Sequence, residues 1–258
     1  MKMPRDPRNT FSGSAERYFK STDHQTGPDL DFIRETAGRA MPAVTVDVAT
    51  GPGHALKAAA PFSGFCLASD LTREMLEVAR KHLSGAGLNH VRYAQARAHE
   101  LPLPDDSADL LTCRIACHHF PSVPEFLREA RRALKYNGTF VMIDSIVPSD
   151  RDAASFMNRV ERLRDPSHVR SFDLNQWREF FRVEGFIVRT VRTFQRTHPF
   201  REWGARVGLK GEGLENIEAV FRDAPEGIKE IFRIETGPGG VVVSYTDEKA
   251  IFSACRAE

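Results

Sequence analysis

The stretch from Val44 to His54, Val-Thr-Val-Asp-Val-Ala-Thr-Gly-Pro-Gly-His, leaves few options for the chain around it. A β-branched run carries one acid, Asp47, near its end. It turns through Gly51 and Gly53 and enters Ala55-Leu-Lys-Ala-Ala-Ala60. β-Branched residues favour strands, whereas alanine and leucine favour helices, so the order is strand, tight turn, helix. A glycine turn lets a ligand approach the backbone closely. The helix start behind it offers free N–H groups and a positive dipole end. A dinucleotide turn of the Gly-x-Gly-x-x-Gly type would need glycine where Leu56 stands, and the Gly-Lys-Ser/Thr of a phosphate-cradling loop is absent.

The chain then repeats this unit. Phe65 to Leu71 is a second strand closing on Asp70, and Thr72 caps a helix whose apolar face is Met75, Val78, Ala79 and Leu83. An acid at the end of a second strand sits beside the ribose of a bound nucleoside. Val91–Gln95 is strand three, followed by a loop through Ala96, Arg97 and Ala98. Asp109–Cys113 is strand four, and Arg114-Ile-Ala-Cys-His-His-Phe120 runs off its end. Ser122 with Glu125 opens a helix that Asn137-Gly138 closes, and Thr139–Asp144 is strand five. Leu30, Phe32, Ile33 and Ala37 give a helix before the first strand. Strands alternating with helices imply a parallel α/β sheet covered on both faces, with ligands bound outside the carboxyl ends of its strands.

Beyond Pro148 the pattern is looser. Helices are expected at 154–163, behind an Asp173 cap, and over much of 199–236; strands are expected at 186–194 and 249–255. The 258 residues suffice for one domain, a net charge of +1 gives no global nucleic-acid signal, and no apolar run approaches the roughly 20 residues of a membrane span. A cytoplasmic location follows as the expectation. Cys66, Cys113, Cys117 and Cys255 contain no Cys-x-x-Cys pair, and thiols within apolar strands act as small hydrophobes, so no metal site is expected.

These motifs, in this order, resemble the class I S-adenosylmethionine-dependent methyltransferases. The nearest branch is the small-molecule one related to ubiquinone and menaquinone biosynthesis C-methyltransferases. The resemblance rests on Asp47–His54, Asp70–Arg80, Leu101-Pro-Leu-Pro-Asp105 and Ala130–Lys135, and spans most of positions 10–195. It implies a doubly wound Rossmann-like sheet, mostly parallel and seven-stranded, with an antiparallel last strand. It also implies a single domain over 1–258, with a core of about 30–147, 186–196 and 247–256 and with lid and acceptor segments at 1–29, 148–185 and 197–246. The implied cofactor is S-adenosylmethionine, held by Asp47, Ala49, Thr50, Gly51, Gly53, Asp70, Leu71, Thr72, Met75, Ala96, Arg97, Ala98 and Arg114. Tyr18 and His24 are lid candidates. Arg97 departs from the pattern: many relatives carry an aspartate there to accept from the adenine amino group, and arginine has donors only.

Methyl transfer from a sulfonium is an in-line displacement, so the protein chiefly aligns the partners and excludes water. An oxygen or carbon acceptor also loses a proton. His118 and His119, just past strand four, and Asp144, ending strand five, are the candidate bases, with His168 as a further pocket residue. Phe156, Met157, Trp177, Phe200 and Trp203 are candidates for an apolar acceptor wall. The expected partner is a small-molecule acceptor rather than nucleic acid, and the expected state is a monomer or homodimer. A binding protein that holds S-adenosylmethionine without transferring its methyl is the alternative.

Overall fold

The computed structural model describes residues 6, 8, 15–20 and 25–257. In chain order the elements are α1 (Ala15–Lys20), α2 (Pro28–Ala40), β1 (Val44–Val48), α3 (His54–Ala59), β2 (Phe65–Asp70) and α4 (Arg73–Gly85). Then come β3 (Val91–Gln95), β4 (Ala108–Arg114), α5 (Val123–Ala133), β5 (Leu134–Ile146), α6 (Arg151–Arg164) and α7 (Leu174–Val183). The last are β6 (Phe186–Pro199), α8 (Phe200–Arg206), α9 (Glu212–Arg222), α10 (Glu226–Ile231), β7 (Glu235–Thr236) and β8 (Val242–Arg256).

Seven strands form one sheet in the order β3-β2-β1-β4-β5-β8-β6, and the two-residue β7 pairs with β8. β1 to β5 pair in parallel, and β8 runs antiparallel to both β5 and β6. The order reverses between β1 and β4, which opens a crevice at their carboxyl ends.

Alternation along the central strands feeds two cores. Leu110, Val141 and Ile143 pack with Ile33 and Ala37 of α2 and Ala55 and Ala59 of α3. Their neighbours Leu111, Phe140 and Met142 face the other way, onto Phe126 and Leu127 of α5 and Trp177 and Phe181 of α7. A third cluster lies beyond the sheet: Met157 and Val160 of α6, Phe200 and Trp203 of α8, Phe221 of α9, and Tyr245 of β8. Trp177 is therefore core behind the sheet and forms no part of an acceptor wall.

Two strands outrun their sequence signals. β6 continues to Pro199 and β8 begins at Val242, pairing through His198↔Tyr245 and Pro199↔Ser244. β5 stops pairing with β8 at Ile146↔Glu248. The overhang sets Arg196, Thr197 and His198 against Asp247, Thr246 and Tyr245, and gains its order from the backbone ladder and the helices packed on it.

The close of α5 also differs from expectation. The helix ends at Ala133, and Leu134 already begins β5, so Asn137-Gly138 lies inside a strand. The register between β4 and β5 shifts between Ala108 and Leu110. A Cβ on Gly138 would sit 2.9 Å from the Ala108 carbonyl oxygen and 2.8 Å from Leu134 Cδ1. The glycine serves a close backbone approach rather than a helix cap. Thr72 holds the cap position of α4 but makes no side-chain cap bond, whereas Asp173 and Gln176 complete a capping box on α7.

Gly138→Ala should therefore lower the unfolding free energy by about 1–3 kcal/mol. A urea midpoint equal to that of the parent would show that the β4–β5 irregularity opens freely to take a methyl group.

Candidate active site

The turn after β1 is held from two sides. Ala49, Gly51 and Gly53 all have left-handed backbone, with φ of 52°, 51° and 86°. Thr50 N donates to Ser69 O at 2.9 Å, tying the turn to β2. Thr50 Oγ1 and Thr112 Oγ1 each donate to the Asp47 carboxylate at 2.6 Å. Burial pushes Asp47 up to about 6 although both hydroxyls favour its charged form. The Asp70 carboxylate accepts from Gly51 N through one oxygen and Thr72 N through the other, both at 2.8 Å. Burial raises it, too, to about 6 against those bonds.

These groups border a cavity of about 670 Å³. Every residue that the resemblance puts around the donor lines it except Gly53. Asp70, Leu71, Thr72 and Met75 form one side, Ala96, Arg97 and Ala98 another, and Asp47, Ala49, Thr50 and Gly51 the floor. Gly53 stands behind, at the start of α3, where a Cβ would lie 3.1 Å from Leu83 Cδ1. Its place is set by backbone conformation and helix packing. Arg97 is exposed. Asp6, on the same cavity, is held low first by its bonds to Arg8 and also by the charge of Arg97. His54, Phe120, Ser167 and Val169 line the cavity as well, and sequence reasoning missed them. His54 was visible as the first residue of the helix after the glycine turn; Ser167 and Val169 arrive only through tertiary structure.

A second, smaller cavity of about 90 Å³ shares Tyr18, Arg114, Ile115 and His119 with the first. Arg114 Nε donates to Asp29 Oδ2 at 2.6 Å in a pair that is 7% and 1% exposed. Asp29, on the first turn of α2, carried no sequence signal beyond that of a helix-start acid. Tyr18 of α1 borders both cavities, and His24 lies outside the described residues.

The candidate bases divide here. Asp144 lines neither cavity and is 1% exposed. Its carboxylate accepts from His118 N at 2.9 Å, Ser145 N at 2.8 Å and His118 Nδ1 at 2.6 Å. It is engaged with these donors and cannot itself reach an acceptor. The bond fixes the proton of neutral His118 on Nδ1, so Nε2 carries the lone pair. Burial opposes charge on His118, but the Asp144 carboxylate outweighs it and raises the imidazole. His119 is driven down to about 4 by burial and the adjacent His118, and His168 to about 3 by the same two causes. The three rings lie together, with centroids 4.2 Å apart for His118–His119 and 5.5 Å for His118–His168. The His118 carbonyl accepts from Val169 N and Arg170 N, which brings the loop of His168 to the site.

Of the candidates for an apolar wall, Met157 and Trp203 line the smaller cavity. Phe156 and Phe200 pack into the third core cluster. Cys113 and Cys117 are buried with sulfurs 3.7 Å apart, and burial raises both thiols. Among the described residues, no group of three or more His, Cys, Asp or Glu is arranged to hold a metal.

Comparison with known proteins gives the family. A methyltransferase-domain family matches residues 46–142. The uncharacterised methyltransferase YcgJ of Bacillus subtilis is 33% identical over 235 residues, 91% of this chain and 93% of that protein. The chain belongs to the class I S-adenosylmethionine-dependent methyltransferases. The crystal structure of YcgJ superposes with a TM-score of 0.85 at 31% identity, covering 89% of this methyltransferase and 98% of that chain. A ubiquinone/menaquinone biosynthesis C-methyltransferase, UbiE of Rickettsia massiliae, is 32% identical over 149 residues, 53% of this chain and 59% of that protein.

The histidine pattern gives a stability prediction. A histidine whose folded pKa lies below its unfolded value stabilises the fold above the unfolded value of 6.5, and that contribution is lost as pH falls toward the folded value, about 3 for His168. Urea titrations of His168→Gln and the parent should therefore show a shallower loss for the variant between about pH 6.5 and about pH 4. Parallel curves would refute a neutral, buried His168.

Proposed function

We propose that this methyltransferase binds S-adenosylmethionine in the larger cavity and transfers the methyl group to an oxygen or carbon of a small molecule that enters through the smaller one. The observation that carries this reading is the shared wall: residues matching the donor motif line one cavity, and His118 lines the adjoining one. The residues fit the donor. Each Asp70 oxygen is engaged with a backbone N–H but keeps further lone pairs for the ribose hydroxyls. A Cβ on Gly51 would meet nothing within 4 Å, so the backbone there is open to close approach. Leu71, Thr72 and Ala96–Ala98 would flank the adenine. Arg97, exposed at the rim, would leave the base edge to backbone groups.

S-adenosylmethionine supplies a methyl group already activated by the sulfonium. His118 Nε2 takes the acceptor proton, and Asp144 is a positioning residue that fixes the tautomer and stabilises the resulting imidazolium. Segments 148–185 and 197–246, with α1, would cover the acceptor and exclude water. The described helices include none long and apolar enough to cross a membrane, in keeping with a reaction in the cytoplasm.

Two experiments test this. Calorimetry with S-adenosylhomocysteine should give saturable binding that Asp70→Asn weakens by about ten-fold, the loss of a hydrogen bond to a charged group. Because the carboxylate rises to about 6, affinity should also fall as pH drops through that value, and the variant should lose this dependence. With an acceptor in hand, His118→Asn should lower kcat by about 100-fold while donor affinity is unchanged. Tight donor binding with an unaltered kcat in His118→Asn would remove His118 from the chemistry.

A further inference from the structure

The smaller cavity differs in character from an apolar pocket. Its apolar walls are few: Ile115, Ile146, Met157, Phe194 and Trp203. The cationic side chains lining it are Arg114, Arg164, Arg196, Arg206 and Lys249. The carboxylates are Asp29, Glu161, Asp165 and Asp247, one fewer among the described residues. An apolar acceptor placed here would strip these groups of their remaining solvent without replacing the hydrogen bonds lost, which is unfavourable for charged groups.

Five of the lining residues bury a polar atom outside hydrogen-bond geometry; His198 Nε2 and Asp247 Oδ1 pair with each other at 3.1 Å, which leaves Asp29 Oδ1, Arg164 Nε and His168 Nδ1. Asp29 is 1% exposed and His168 is 2% exposed. Their chemistry can be assigned. Asn158 Nδ2 donates to Ala154 O and Ser171 O, so its Oδ1 is an acceptor, and it takes Ser171 N at 2.8 Å. His168 Nε2, 3.0 Å from the same oxygen, must therefore be its donor. That places the lone pair of neutral His168 on Nδ1. Asp29 Oδ1 is likewise an acceptor, and Arg164 Nε is a donor. Arg164 is itself fixed, with its Nη1 2.6 Å from Glu161 Oε2 and its guanidinium 4.8 Å from the centre of the Trp203 ring. Orphaned buried polar atoms are rare in native proteins, and three around one cavity call for a partner that can satisfy them.

We infer that the acceptor is a compact, aliphatic acid bearing a hydroxyl or amine: its anionic group meets Arg164 and the basic surplus, and its N–H or O–H donors meet Asp29 and His168. This deepens, and rests on, the methyltransferase reading above. Size supports it. The cavity of about 90 Å³ is smaller than the roughly 150 Å³ that admits a benzene ring, so an aromatic or prenylated group does not fit whole.

The test is calorimetric, on the full chain saturated with S-adenosylhomocysteine. The probes are glycolate, lactate, 3-hydroxybutyrate, serine, their neutral methyl esters, and a prenylated phenol. At least one free acid should bind, its ester at least about ten-fold more weakly, as expected on losing a hydrogen bond between charged groups. The prenylated phenol should not bind. Arg164→Gln should weaken the acid by a similar factor, with S-adenosylhomocysteine affinity as the check that the variant folds; the ester comparison needs no variant. Equal or tighter binding of the esters or of the prenylated phenol overturns the inference, as does failure of all four acids while S-adenosylhomocysteine binds. Failure of S-adenosylhomocysteine itself would instead overturn the donor reading.

Discussion

One buried carboxylate joins the two halves of the sheet at the point where ligands bind. Asp47 sits at the end of β1 and accepts from Thr50 in the glycine turn and from Thr112 in β4. The strand order reverses between β1 and β4, so no helix fills the crevice there. A carboxylate in that position is expensive to bury, and its raised pKa records the cost. Two short hydroxyl bonds offset it and fix the turn in a left-handed conformation that leaves the backbone open to a ligand. Asp70 repeats the device one strand over, bracing Gly51 and Thr72 with the same carboxylate that would meet the ribose. The groups proposed to meet the donor thus have shaping the loop as their first task.

The smaller cavity is built on a different principle. There, ionisable groups are packed against one another and sort themselves by burial and mutual charge. Asp144 retains its charge and lends it to His118, while the resulting positive field, with burial, holds His119 and His168 neutral. One imidazole can then exchange a proton while its neighbours act as hydrogen-bonding groups. Glu161 is kept ionised, down to about 2, by Arg164 and Lys249 against its own burial. The two cavities meet at Arg114, whose bond to Asp29 ties the end of β4 to the start of α2.

Much of the larger cavity was legible because it is local. Asp47, Gly51 and Asp70 lie within one βαβ unit, where strand ends and turns can be counted off the chain. Gly53 stands behind the cavity lining, and spacing does not distinguish a glycine that opens a loop from one that admits Leu83 of another helix. Asn137-Gly138 misled for the same reason: a helix stop signal and a close approach to the Ala108 carbonyl look identical in sequence. Asp144 was visible as a polar residue ending a strand, but whether it faces a ligand or stands behind His118 depends on partners 26 residues away.

The sequence by itself determined the alternation of strands and helices, the placing of Asp47 and Asp70 at strand ends, and the clustering of polar residues at the carboxyl ends of the strands. These follow from periodicity and turn chemistry, which act over a few residues. Only the tertiary structure decided what α6, α8 and the β6–β8 overhang enclose. Asp29, Glu161, His198 and Lys249 come from four separate segments, and nothing local marks any of them as a cavity wall. Their charges acquire meaning only when burial removes water and leaves each group to be satisfied by the others.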